Sequence, residues 1–155
     1  MKLERKDWIR ALTAHPAPDL HALAERLAAG CELRLTRLPQ AGLSLLQLTD
    51  GAFHEAYYLG EFPLSTCSLE LTLADGRRAE GGAQVMSDDA ALARSLAILD
   101  AILAARLPGW EEASRHVASG AARRDEEDRR RRATLAATRV DFALLGNAGE
   151  DDDED

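Results

Sequence analysis

Aromatic residues make up only 5% of this 155-residue chain. Alanine and leucine must therefore supply most of the apolar volume, and both favour helix. Cysteine is as scarce: Cys31 and Cys67 are far apart and neither belongs to a Cys-x-x-Cys pair. The two read as free thiols in a reducing compartment. No apolar run approaches the roughly 20 residues of a membrane helix, and Met1 to Asp7 carry no apolar core of a signal peptide. The expectation is a cytoplasmic protein with no membrane contact. Basic charge is the minority, with 19 Lys+Arg against 27 Asp+Glu for a net charge of -8. The last six residues, Glu150 to Asp155, are all acidic, so the rest of the chain is close to neutral. A near-neutral body gives poor grounds for nucleic-acid binding, which needs a basic face.

Catalytic signatures are also missing. His15, His21, His54 and His116 are scattered without an H-x-x-x-H or Cys/His cluster, so no metal site is expected. There is no glycine-rich phosphate loop, and Gly81-Gly82 lie in a strand-like stretch where glycine marks a bulge or a close backbone approach. No catalytic residue is assigned, and no stand-alone active site is expected.

What is present is the composition of one α+β domain, expected over residues 1–147, with 148–155 a disordered acidic tail. Trp8, Ile9, Ala11 and Leu12 mark a first helix over about 7–14, ended by His15-Pro16. Pro18 and Asp19 suit the first turn of a second helix, whose stripe is Leu20, Leu23, Ala24 and Leu27 and whose stop is Gly30. The period then becomes two. Leu33 to Thr36, the more evenly apolar Leu43 to Leu48, Phe53 to Leu59 and Leu69 to Leu73 predict an antiparallel sheet of about four strands. Asp75-Gly76 is a hairpin turn and Asp50-Gly51 a second turn. Ser87 reads as the N-cap of a core helix with the stripe Leu92, Leu96, Leu99 and Leu103. Pro108 opens a long charged helix that Gly120 is placed to interrupt, followed by an extended tail.

Two features invite chemistry. The run Arg123 to Arg132 resembles a phosphate-binding patch, but Asp125, Glu126, Glu127 and Asp128 each precede an arginine by four residues, so the helix neutralises its own charge. Nucleic-acid binding or an adaptor role through this helix is the alternative reading. Asp100 is the one acid in an otherwise apolar segment, and an unpaired buried carboxylate costs several kcal/mol, so it needs a cation or backbone amides.

Between the charged helix and the acidic tail lies Arg139-Val140-Asp141-Phe142-Ala143-Leu144-Leu145, apolar where its neighbours belong in water. That closing Arg-Val-Asp-Phe, with Trp8 and Leu12, Gly42-Leu43, Tyr58-Leu59-Gly60-Glu61, Asp75-Gly76 and Asp100-Ala101, resembles in order and spacing the PhnG-type subunit of the bacterial carbon-phosphorus lyase core complex. The chain departs from that family at Ser65-Thr66, where the family continues to Thr-Arg, at Met86-Ser87-Asp88, where it has Gly-Arg-Asp, and at Ala143, where it has a second Phe. The resemblance implies an accessory subunit of a two-fold symmetric assembly with PhnI-, PhnH- and PhnJ-type partners. That assembly transfers an alkylphosphonate to the ribose C1 of ATP with release of adenine. No cofactor is expected on this subunit; ATP is a substrate of the complex, and an iron-sulfur cluster and S-adenosylmethionine serve a partner. Partner-interface candidates are Arg139, Val140, Asp141, Phe142, Leu144, Gly60, Glu61 and Asp100, with Val140, Phe142 and Leu144 alternating inward.

Overall fold

The computed structural model describes residues 3–138. Its elements are α1 (Arg5–Leu12), α2 (Ala17–Ala28), β1 (Cys31–Thr49), β2 (Ala56–Leu73), β3 (Arg78–Val85), α3 (Ala90–Ala105) and α4 (Trp110–Ala137). The chain divides into a body that runs through Arg123 and a second unit from Arg124 on. Arg139, Val140, Asp141, Phe142 and Leu144, with the acidic tail, lie outside the described residues.

The class is α+β, with three strands rather than about four in one antiparallel sheet ordered β1-β2-β3. The expected breaks are bulges inside longer strands. Pairing of β1 with β2 slips between Leu35 and Arg37, between Arg37 and Gln40, and between Leu46 and Gln47, without ending. Pro39 is tolerated because β1 is an edge strand, where the missing N–H deprives no neighbour. Asp75-Gly76 does turn β2 into β3, but only Gly76 takes a positive φ, at 83°. Its N–H donates to the Leu73 carbonyl at 2.9 Å, so the connection is a type I turn closed by a left-handed glycine rather than the expected two-residue form.

α3 is the core. Leu96, Ala97, Ile98, Leu99 and Ala101 are fully buried, which is a helix apolar all round with neighbours on every side. One side packs on the sheet face formed by Cys67, Leu69, Leu71, Ala79 and Ala83; Leu12, Leu20, Leu23, Ala24, Ala113 and Val117 complete the cluster. Contact with the sheet is close because Gly81 has no side chain. A Cβ there would lie 2.0 Å from the Ala97 carbonyl oxygen, so the expected close approach is real. The N-cap of α3 is Asp89, whose carboxylate accepts from the Leu92 N–H at 3.0 Å. Ser87 stands one step back, its hydroxyl accepting from the Asp89 N–H at 3.0 Å.

Gly120 does not interrupt α4. It is buried, and a Cβ there would lie 2.0 Å from the Ala11 carbonyl oxygen, so this glycine lets α4 cross α1 at backbone distance. In the second unit, Glu126 pairs with Arg130 as expected and also with Arg129, while Glu127 takes Arg124.

Candidate functional site

Polar groups buried in the body are tied structurally. Asp100, 4% exposed, receives the Arg5 guanidinium through both oxygens, at 3.0 and 2.7 Å. One oxygen also accepts the Gly82 N–H at 3.0 Å, and Arg5 donates onward to the Glu80 carbonyl at 3.3 Å. The pair thus staples α1 and α3 to the outer edge of β3, satisfying backbone groups that an edge strand leaves open. The hydrogen bond to Asp100 raises the Arg5 pKa above its ordinary value, against the opposing effect of burial and with a further upward contribution from the Asp100 charge. Asp100 is therefore engaged within the chain itself.

A serine, a histidine and an aspartate also meet. Nδ1 of His21 lies 2.9 Å from Ser95 Oγ and Nε2 lies 3.5 Å from Asp89. Ser95, however, is only 2% exposed, and Asp89 is engaged as the cap of α3. The trio ties α2 to α3 and satisfies a buried hydroxyl, as interior polar groups require. Burial pushes the Cys67 thiol upward, against a smaller opposing effect of Arg94, which keeps it a thiol rather than a nucleophilic thiolate. Among the described residues no three His, Cys, Asp or Glu side chains come together as metal ligands. A recess of about 390 Å³ between Leu27, Cys31, Leu73, Leu107 and Pro108 holds only Asp75 and Arg77 as charged groups, and these two pair with each other at 2.8 Å.

The exceptional surface is elsewhere. β3 stops opposite Ser65, yet β1 and β2 continue pairing for eight further positions, Gly42 through Thr49 against Leu64 back to Ala56. At about 3.3 Å per residue this two-stranded arm extends roughly 25 Å past the end of the third strand. Its loop is ordered locally: the Asp50 carboxylate accepts the Phe53 N–H at 2.7 Å, the Asp50 N–H donates to Glu55 at 2.8 Å, and His54 takes a left-handed φ of 56°. Phe53 stands out from that loop, 82% exposed.

Alternation distributes the apolar side chains over both faces. Leu43 and Leu45 share one face with their partners Pro63 and Glu61 and with Tyr58; Leu46 and Leu48 share the other with Phe62 and Tyr57. Exposure reaches 71% at Leu43 and 63% at Tyr58 and Leu59. Over both faces together, the exposed leucines and aromatics of the arm present apolar area on the order of 800 Å², the share one partner gives to a standard interface. An isolated two-stranded hairpin is marginally stable in water. The arm also contains Gly60, open on all sides, and the exposed Glu61 opposite Leu45. The leucines and tyrosines were missing from the sequence-derived site, although the evenly apolar Leu43 to Leu48 is the pattern of a strand covered on two faces.

The chain matches the family model described as phosphonate metabolism protein PhnG over residues 3–146. It belongs to the PhnG family. A search of curated protein sequences finds no match to it. Family membership places this PhnG-family chain in phosphonate metabolism. No helix among the described residues is long and apolar enough to cross a membrane. Thr66 and Ser87, where the resemblance implies an arginine, have defined places in this structure. Thr66 lies half-buried opposite Gln84 on the sheet face away from α3. The Ser87 carbonyl accepts from the buried Ser65 hydroxyl at 2.8 Å, and its side chain steadies the start of α3.

Proposed function

We propose that this chain is an accessory subunit of a carbon-phosphorus lyase core complex, assembled with PhnI-, PhnH- and PhnJ-type subunits. The complex moves an alkylphosphonate onto the ribose C1 of ATP and releases adenine. In this reading the subunit contributes binding surface and no reacting group. ATP is bound as a substrate of the whole complex, and the iron-sulfur cluster and S-adenosylmethionine belong to a partner. The work is done in the cytoplasm.

The observation that carries the reading is the uncovered apolar arm of a family member whose buried Asp100, Ser95 and Ser65 are all engaged in internal hydrogen bonds. An apolar surface of this size matches one partner's share of a standard protein–protein interface. The test is co-expression with the three partner types. A heteromeric complex that survives size exclusion, and that requires this subunit for turnover of ATP and methylphosphonate, is the expected result. Separate elution of this chain from all three, or full turnover without it, contradicts the proposal.

A further inference from the structure

Resting on that functional reading, we infer that the β1–β2 arm inserts between two layers of a heterologous partner protein, into an apolar cleft whose rim carries lysine or arginine. Three observations lead there. First, the arm is apolar on both faces, Leu43, Leu45 and Tyr58 on one and Leu46, Leu48 and Tyr57 on the other. A ribbon lying on a flat surface would leave one of these faces in water, whereas a cleft covers both. Second, no lysine or arginine occurs between Arg37 and Arg77, while Asp50, Glu55 and Glu61 all lie on the arm. The charge that edges it is of one sign, and complementary interfaces set opposite potentials against each other. Nucleic acid and anionic lipid are disfavoured by the same acids. Third, none of the residues from Leu38 to Leu64 belongs to the core cluster or packs against it, so the arm is built for something outside the body.

A second copy of this chain fits less well. Arm-to-arm pairing about a two-fold axis would bring the same acids together, because an isologous contact sets each patch against itself. In the second unit, Arg129 and Arg130 are already engaged with Glu126 and Arg124 with Glu127.

The experiment measures binding of full-length chain to the co-purified assembly of the other three subunit types, with three variants beside the wild type. One carries Leu43→Ser, Leu45→Ser and Tyr58→Ser; the second Leu46→Ser, Leu48→Ser and Tyr57→Ser; the third Asp50→Lys, Glu55→Lys and Glu61→Lys. Each is first shown to melt as the wild-type body does. Both serine variants are expected to lose at least 100-fold in affinity. Charge reversal is expected to slow association at least tenfold at low salt and to abolish its acceleration by low salt. Loss from one serine variant alone means a ribbon laid flat and overturns the cleft. Unchanged salt dependence in the lysine variant overturns the basic rim. Self-association of the chain at the same concentrations, lost in the same variants, assigns the arm to a second copy and overturns the inference. If wild type binds and all three variants bind equally, the inference falls while the functional reading stands. If wild type itself fails to bind, the functional reading falls first.

Discussion

Arg5 reaches across 95 residues of sequence to hold both oxygens of Asp100, and the same carboxylate accepts the Gly82 N–H at the edge of β3. Because Asp100 is buried while the Arg5 side chain is 56% exposed, removing Arg5 strands a buried carboxylate, whereas removing Asp100 leaves a guanidinium that water can reach. Arg5→Ala is expected to lower stability by about 3 kcal/mol, against about 1–2 kcal/mol for Asp100→Ala, which orphans the Gly82 amide. Urea denaturation of both single variants and the double variant checks this. The double variant should lose less than the sum of the two.

Adjacent glycines should respond in opposite ways. A Cβ on Gly81 would meet the Ala97 carbonyl oxygen at 2.0 Å, whereas one on Gly82 meets nothing nearer than Ser68 Oγ at 3.6 Å. Gly81→Ala must push α3 off the sheet, at about 3 kcal/mol or more. Gly82→Ala is expected to stay within about 0.5 kcal/mol of wild type. Melting curves of the pair separate the two cases.

Acid sensitivity follows from Glu112. Hydrogen bonds from Arg26 at 2.9 and 2.6 Å hold its pKa below the usual 4.5. A depressed folded-state pKa means the unfolded state binds the proton more readily, so this contribution is present above about pH 4.5 and disappears as pH falls through the folded value. Glu112→Gln should therefore melt below wild type at pH 7, with the gap closing below pH 4. A gap that stays constant across that range contradicts the linkage.

The arginine-rich part of α4 should not bind nucleic acid. Glu126 engages both Arg129 and Arg130, and Glu127 engages Arg124. Fluorescence anisotropy with duplex DNA and single-stranded RNA at about 50 mM salt, where phosphate contacts are strong, is expected to detect no complex.

Local chemistry made the helices partly legible: Pro18 and Asp19 lie in the first turn of α2 and the leucine spacing marks α3, while α1 runs Arg5–Leu12 and stops at Thr13, ahead of the expected break at His15-Pro16. What depended on distance was not legible. Asp100 plainly needed a partner, yet nothing near it in sequence pointed to Arg5. Both Ser87 and Asp89 have capping side chains, and only the backbone path decides that Asp89 caps while Ser87 supports it. Strand count failed at bulges, because a register slip and a strand end look alike as an interruption of alternation. The arm was half legible. Leucines on successive positions of β1 indicate two-sided burial, but periodicity says nothing of whether the covering layers lie in the same chain, and among the described residues they do not.

The most direct test of the arm as the assembly element is hydrogen exchange of this subunit, free and in the complete complex. Amides of residues 42–49, 56–62 and 64 should show little protection alone, as a marginally stable two-stranded ribbon does, and become protected at least 100-fold on assembly, while those of α3 stay unchanged. Equal exchange of the arm in both states, with protection gained only elsewhere on the body, would contradict it.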